Sequence, residues 1–294
     1  MKSLWILGPG SSIARYEHLM SSLREKETLA YQRVFPNCYT YYDIIPRYWT
    51  GYDPNGLIEG LEFLVSVPES ERELFANMEL LLPHFCSGEY STFRKYCGTT
   101  PLGRTEGAWE NYLNLIQKVR DLGYTVTVID SYTTKKIELE ERFTNDQFKQ
   151  NDIFNKDSEY LRFMVDKPIF GTVRFDSESV IGHRYRWGLE NKLSVQAFPL
   201  AYHLGFKKVY VAGFDLIGSR FYDNNICHPW DDHRQKNQDA KLIQQIPLSL
   251  IKQWVDWEPL HGMKIYSVVE DQYTLINQAL PYQPFKDTLE EKGE

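Results

Sequence analysis

The strongest constraint on the fold is the way the first apolar run ends. Residues 3–7, SLWIL, are followed at once by Gly8-Pro9-Gly10-Ser11-Ser12, and residues 11–26 then place apolar side chains at helical spacing. The pattern predicts a strand, a glycine turn and a helix whose first residue is capped by Ser11 or Ser12. Strand, glycine turn and helix form the first unit of a doubly wound α/β fold.

The rest of the chain continues this alternation. Further strands are predicted at 29–35, 124–129, 209–216 and 263–269, and helices at 57–66, 69–82, 106–121, 191–205, 236–254 and 271–280. Strands that alternate with helices favour a parallel sheet covered on both faces. We therefore expect one Rossmann-like α/β domain over 1–294 with a mostly parallel sheet. A polar, acceptor-side excursion is expected at about 133–190 and a short lid loop at about 217–235.

Composition excludes several classes of protein. The formal net charge of −7 argues against broad nucleic-acid binding, which needs a basic surface. The four cysteines, Cys38, Cys86, Cys97 and Cys227, form no CxxC pair, so we expect free thiols and no structural zinc. With no signal peptide and no apolar run of membrane-spanning length, the expected location is the cytoplasm.

Three predicted segments end in residues suited to a ligand, and the carboxyl ends of parallel strands form the binding edge of such a sheet. One is the turn of Gly8, Gly10, Ser11 and Ser12, where glycines admit a ligand and a helix begins. The others are Tyr52-Asp53-Pro54-Asn55 and Gly213-Phe214-Asp215. Asp53 and Asp215 suit a ribose hydroxyl or a base edge, and equally suit the cap of a helix.

The stretch after Asp215 carries candidates for chemistry. His228 and His233 suit proton transfer near neutral pH, while Tyr222 and Arg220 suit a phosphate. The same loop would also be accounted for as a solvated connection with no role. The HPWDDH run offers oxygen and nitrogen ligands to a divalent ion, but no DxD follows a strand, so we expect no metal.

The chain resembles the bacterial sialyltransferases of glycosyltransferase family 42 and related Rossmann-like domains of unknown function. The resemblance covers about the first 55 and the last 100 residues. It lies in GPGSS at 8–12, in AFPLAYHLGFKKVYVAGFDL at 197–216 and in the stretches DDHRQKNQDAKLIQQI and MKIYSVVEDQYTLINQAL. It implies an inverting, metal-independent transfer of a sialic-acid-like sugar from a CMP-sugar to a glycan hydroxyl, with no cofactor.

The resemblance also implies roles for particular residues. His233 falls where the family has its general base, with His228 as the second candidate, and Tyr222 falls on one of two phosphate-binding tyrosines. The other tyrosine falls near Ile217, and a family asparagine matches Asp53. The asparagine that follows the second strand of the family falls near Gln32. Taken together, the predicted donor-binding residues are Gly8, Gly10, Ser11, Ser12, Gln32, Asp53, Asn55, Ser194, Gly213, Asp215 and Tyr222, with Tyr222 and Arg220 predicted to stabilise the phosphate.

Two other functions fit the same pattern. One is a metal-dependent nucleotide or pterin phosphotransferase of the pyrophosphokinase kind, and the other is a nucleotide-binding domain without catalysis. The expected partners are a nucleotide-sugar and a glycan acceptor, with no nucleic acid. A homo-oligomer and peripheral contact with a membrane are left open, although the acidic tail KDTLEEKGE lacks a basic anchor for anionic lipid.

Overall fold

The computed structural model describes most of both ends of the chain. The described residues are 2–51, 54–83, 108–129, 197–216, 220–222 and 254–289, with short pieces at 175–176, 186–187, 193, 248 and 251–252. Most of the expected excursion at 133–190 and of the expected lid at 217–235 lies outside these residues. The assignment of residues 1–294 to a single domain stays a prediction.

A seven-stranded, fully parallel sheet confirms the α/β prediction. The strands of the structure are β1 Ser3–Leu7, β2 Thr28–Tyr31, β3 Tyr48–Thr50, β4 Glu79–Pro83, β5 Thr125–Ile129, β6 Phe175–Asp176, β7 Arg186–Trp187, β8 Lys208–Ala212 and β9 Lys264–Ser267. The parallel sheet has the order β5-β4-β3-β2-β1-β8-β9, and β6 and β7 form a separate antiparallel pair.

Strand β1 marks the point where the winding of the sheet reverses. The strands from β1 to β5 are added successively on one side, and the chain then returns to place β8 on the other side of β1. Ser3 pairs with Lys208 and Leu7 with Ala212, so the two strands end level with each other. Open α/β sheets bind ligands at the carboxyl ends of strands at such a reversal.

Short helices connect and cover the strands. They are α1 Ser12–Arg15, α2 Glu17–Met20, α3 Val34–Tyr42, α4 Pro54–Ser66, α5 Ala108–Asp121, α6 Phe198–His203, α7 Glu258–His261 and α8 Phe285–Leu289. Single 3₁₀ segments occur at Ser21–Leu23, Glu69–Phe75, Asp271–Tyr273 and Ile276–Gln278. In the described part of the chain, no helix combines the length and apolar character needed to cross a bilayer.

Helix α5 shows how the sequence forms these elements. Tyr112, Leu115, Ile116 and Val119 are buried, and their spacing places them on one face of the helix. The chain leaves the helix at Gly123, whose φ of +91° suits glycine. The predicted helix and strand around this stop, 106–121 and 124–129, are therefore confirmed.

Several predicted elements are wrong. The segment 69–82 was expected to be one helix, but it forms the 3₁₀ segment Glu69–Phe75 and then strand β4. Leu80, Leu81 and Leu82 are all buried, and a strand covered on both faces has the same continuous apolar run as a buried helix. Strand β3 was missed, because it contains only three residues.

Other predicted elements are shorter or broken. The helix expected over 11–26 is divided into α1, α2 and a 3₁₀ segment, and the closing helix expected over 271–280 is replaced by two 3₁₀ segments. The helix expected over 191–205 is described as Phe198–His203. Strand β2 ends at Tyr31 rather than at 35.

The core packs helices against a sheet that contains large aromatic side chains. Trp49 of β3 is fully buried, and its indole NH donates to the backbone oxygen of Gln32 at 2.9 Å. Gly60 of α4 lies directly against this indole, because a Cβ at position 60 would overlap the ring. The contact between α4 and β3 therefore requires glycine at that position.

We expect Gly60→Ala to lower the free energy of unfolding by about 1–2 kcal/mol. The helix would gain about 1 kcal/mol in propensity, but the overlap of the new Cβ with a buried ring should cost about 2–3 kcal/mol, at the upper end of the usual range for overpacking. Urea denaturation followed by circular dichroism measures the change. Glu62→Ala, at an exposed position of the same helix, is the matched control. An equal or higher stability of Gly60→Ala would contradict the packing described here.

Candidate functional site

The turns that follow β1 and β8 are joined by backbone hydrogen bonds. We call Gly8-Pro9-Gly10 the glycine turn and Gly213-Phe214-Asp215 the aspartate turn. The NH of Gly8 donates to the oxygen of Ala212 at 2.7 Å, and the NH of Gly10 donates to the oxygen of Gly213 at 2.6 Å. The two turns therefore form a common rim at the reversal of the sheet.

Glycine is required where these turns touch. A Cβ on Gly8 would overlap the carbonyl oxygen of Gly213, and a Cβ on Gly213 would overlap that of Gly8. Gly213 also has a φ of +73°, which L-residues rarely adopt. The glycines that we expected to admit a ligand are thus already needed for the approach of one turn to the other.

Asp215 connects the rim to the first helix. The Asp215 carboxylate accepts hydrogen bonds from the NH of Ser12 at 2.8 Å and from the hydroxyl of Ser12 at 2.5 Å. Asp215 is only 2% exposed. The expectation that a serine side chain caps α1 is wrong, because Ser11 makes no capping bond and Ser12 bonds to Asp215. Asp215 acts as a cap for this helix from a distant part of the chain.

Burial raises the pKa of Asp215 to about 6. Its removal from water disfavours the charged form, while the hydrogen bonds from Ser12 and the positive charge of Arg220 act in the opposite direction. A carboxyl group that titrates near neutral pH therefore lies at the rim. When ionised, it supplies negative charge next to the start of α1, where the helix N-terminus would otherwise favour an anion.

The start of the expected lid lies against the glycine turn. The NH of Phe221 donates to the oxygen of Pro9 at 3.0 Å, and Arg220 forms an isolated antiparallel bridge with Gly10. Arg220, Phe221 and Tyr222 are all partly buried. Two residues predicted to stabilise a phosphate, Arg220 and Tyr222, are thus in the segment that borders the rim.

A third segment, for which the sequence predicted no contact with the rim, also contacts the aspartate turn. The backbone oxygen of Asp215 accepts the NH of Leu275 at 3.0 Å and the hydroxyl of the buried Thr274 at 3.3 Å. This segment was expected to be helical, so its turn-forming polar groups were not considered. Both the side chain and the backbone of Asp215 are therefore fixed.

Gln32 lies at the end of β2 in a backbone conformation that is unusual for its residue type. Its φ is +52°, its NH donates to the oxygen of Thr50 at 2.7 Å, and its exposed fraction is 8%. A Cβ on Gly51 would lie 2.6 Å from its Cγ, so the glycine leaves room for the Gln32 side chain. Residues held in sparsely populated backbone regions concentrate at functional sites.

The remaining candidates lie partly or wholly outside the described residues. This applies to His228, His233, Asp53 and Ser194, whereas Asn55 is described only as backbone in the first turn of α4. Within the described ranges, no three His, Cys, Asp or Glu side chains gather as a metal site would need. Of the predicted residues, the structure brings Gly8, Gly10, Ser12, Gly213, Asp215 and Arg220 together at the rim, with Tyr222 in the segment of Arg220. Gln32 follows β2, the strand that pairs with β1.

The comparisons with known proteins give structural likeness alone. No family model and no curated protein sequence match the chain. The chain is similar in structure to the sialyltransferase CST-II in complex with a trisaccharide acceptor and CMP, with a TM-score of 0.42, 16% identity and coverage of 100% of this chain and 89% of that chain. For CstII from Campylobacter jejuni in complex with CMP-3FNeuAc, the TM-score is 0.41, with 16% identity and coverage of 100% and 90%. Likeness at this level carries no argument about activity.

We expect Asp215→Asn to become more stable relative to the natural protein as the pH rises. Because the folded pKa is raised from 3.8 to about 6, the stability due to the protonated carboxyl is complete below pH 3.8 and is lost as the pH rises through about 6. The two pKa values correspond to a change of about 2 kcal/mol in the stability difference between pH 4 and 7. Urea denaturation at several pH values measures it.

Asp215→Ala separates the hydrogen bonds from the charge. An asparagine can accept the NH of Ser12 and donate to its hydroxyl, whereas alanine leaves both buried groups without this partner. Alanine should therefore cost about 1–3 kcal/mol at pH 4, where the carboxyl is protonated. A stability difference between the natural protein and Asp215→Asn that does not vary with pH would refute the raised pKa.

Proposed function

We propose that this chain is a glycosyltransferase that acts in the cytoplasm and takes its sugar from a CMP-sugar with a sialic-acid-like group. The observation that carries the proposal is the joining of the glycine and aspartate turns through Ser12 and Asp215 at the reversal of the sheet. Nucleotides bind at this place in doubly wound folds. The motif resemblance described above supplies the class of donor.

The chemistry assigned to the chain is an inverting displacement. A hydroxyl of the acceptor loses its proton to a histidine as its oxygen forms a bond to the anomeric carbon of the donor sugar. The bond from that carbon to the phosphate oxygen breaks, and CMP leaves with the electron pair. We assign the proton to His233, with His228 as the second candidate, because an imidazole has a suitable pKa near pH 7.

Arg220 and Tyr222 supply the groups that would stabilise the leaving phosphate. Arg220 already interacts electrostatically with Asp215, and the backbone of its segment is attached to the glycine turn. A cation is needed here, because an ionised Asp215 and a phosphate would repel each other. Protonation of Asp215 or the charge of Arg220 relieves this repulsion, and no metal ion is required by the scheme.

CMP should raise the melting temperature of the protein without magnesium. A ligand that binds only the folded form stabilises it, by about 2.7 kcal/mol at a concentration a hundred times its Kd. The measurement is a thermal-shift series with CMP, UMP, GDP, UDP and ATP, each with and without magnesium. A shift with ATP that requires magnesium would favour the phosphotransferase instead.

Arg220→Ala tests whether the response arises at the rim. We expect its CMP-dependent shift to be smaller than that of the natural protein, because a charged contact to phosphate is lost. Arg120→Ala removes an exposed arginine from α5 and serves as the matched control. A response to CMP that is equal in both variants would remove the rim from the proposed site.

His233→Ala should bind CMP normally and lose about 10²–10⁴-fold in the rate of transfer, the range for general acid–base catalysis. Transfer is followed as release of CMP from a CMP-sugar in the presence of a saccharide. His228→Ala is the matched variant, and the larger loss identifies the base. If both variants retain full rates, neither histidine is the base. If the natural protein binds CMP and shows no transfer to any saccharide tried, it is a binding domain.

A further inference from the structure

An exposed tyrosine borders the rim and has no role in the scheme above. Four large hydrophobic side chains in the described part of the chain are exposed, and Tyr41 of α3, at 52%, contacts the segment that lies against the glycine turn. The hydroxyl of Tyr41 donates to the backbone oxygen of Tyr222 at 3.2 Å. An exposed aromatic side chain would normally be free to change rotamer, whereas this one is attached at its tip.

Neighbouring aromatic rings pack against Tyr41 and its supporting residue. Phe221 meets it edge to face, with ring centroids 6.1 Å apart and an angle of 85° between the planes. Tyr42, which is 9% exposed, packs on Phe221 at 5.5 Å. We call Tyr41, Tyr42 and Phe221 the aromatic platform. The exposed ring of Tyr41 already has a hydrogen bond and a ring contact before any ligand arrives, which lowers the side-chain entropy that binding would cost.

The aromatic platform is continuous with the candidate donor site. The backbone NH of Phe221 donates to the oxygen of Pro9, in the middle of the glycine turn. Phe221 therefore touches the exposed tyrosine through its ring and the rim through its backbone. A group that rests on Tyr41 would lie beside a nucleotide-sugar bound at the rim.

The chemistry of the platform suits a sugar ring. A tyrosine ring offers a flat apolar face, and one face of a pyranose presents C–H groups that pack on such a surface while its hydroxyls remain in water. Half-exposure suits this partner, because a saccharide keeps most of its hydroxyl groups hydrated. A nucleobase, which is apolar on both faces, would gain more from a buried slot than from a platform at 52% exposure.

We propose that Tyr41, supported by Phe221, is the stacking residue for a sugar ring of the acceptor saccharide. The identification of this saccharide as the acceptor rests on the proposed function. The stacking itself requires only that a saccharide binds beside the glycine turn. It adds to the site a residue from α3, in a region to which the motif resemblance assigns no acceptor contact.

The test measures saccharide binding rather than turnover. Lactose and 3′-sialyllactose serve as probes, each titrated against the full chain with and without CMP and followed by saturation-transfer NMR. We expect Tyr41→Ala to weaken binding by about two- to tenfold, the range that corresponds to loss of one aromatic contact. Tyr41→Phe should bind within about twofold of the natural protein, because the flat ring is retained.

Two further variants make the result specific. Tyr41→Leu keeps apolar bulk without a flat ring and should behave as Tyr41→Ala does. Tyr282→Ala removes another exposed tyrosine, at 42%, from the chain that follows the edge strand β9, and it should bind as the natural protein does. Melting temperatures of all variants show whether they are folded. Because the side chain of Tyr41 is exposed, we expect its substitutions to change the melting temperature little.

The outcomes separate this inference from the proposed function. Equal saccharide binding by Tyr41→Ala and the natural protein would overturn the inference. It would also be overturned if neither lactose nor 3′-sialyllactose binds to the natural protein. Loss of the CMP response in Tyr41→Ala, with saccharide binding intact, would make the platform a base-binding surface and overturn it as well. Saccharide binding that depends on Tyr41 without any CMP response would support the platform and contradict the assigned donor.

Discussion

The hydrogen bonds between Ser12 and Asp215 join the two halves of the described sheet at the carboxyl ends of β1 and β8. They join residues that are 203 positions apart, and they satisfy the first turn of α1 with a carboxylate from the end of β8. The glycines of both turns permit this close approach, because a Cβ on Gly8 or Gly213 would overlap the carbonyl oxygen of the other turn. The order of the strands makes the meeting possible, and this pair of residues makes it specific.

This arrangement changes how an anion can be bound at the rim. In many α/β proteins the turn after the first strand leaves backbone NH groups free for a phosphate. Here the NH groups of Gly8, Gly10 and Ser12 already donate within the protein. Cationic and hydroxyl side chains of the neighbouring segment, Arg220 and Tyr222, therefore become more important for any phosphate than the helix start. The proposed site depends on side chains where related folds depend on backbone.

The sequence predicted β1 over 3–7 as the structure has it, because an apolar run that stops at a glycine is a local signal. It extended β8 to residue 216, whereas the strand ends at Ala212, before the aspartate turn. It also predicted that the two strands end at one edge of the sheet, since the carboxyl ends of parallel strands lie on the same edge. The contact of Ser12 with Asp215 could not be predicted, because each residue has a plausible local capping role. Local patterns do not show that a carboxylate from 203 residues away takes that role.

Other features were missed for different physical reasons. The sequence predicts a helix where β4 forms, because a run of buried leucines has no period that separates a strand from a helix. The contact of Thr274 with Asp215 was missed because the segment was assigned to a helix that does not form. The position of Gln32 followed from the resemblance, but its φ of +52° and its contacts with Gly51 and the indole of Trp49 did not. Tertiary contacts determine such details, and no short window of sequence contains them.

The central place of β1 has a consequence for how the protein is made. One edge of this strand can pair with β2 early, but its other edge must wait for β8, which is formed from residues about 200 positions later. At a synthesis rate of about 5–20 residues per second, that edge stays open for roughly 10–40 seconds on the ribosome. An apolar strand with an unpaired edge is a template for wrong pairing, so the nascent chain depends on rapid burial or on chaperones during that interval.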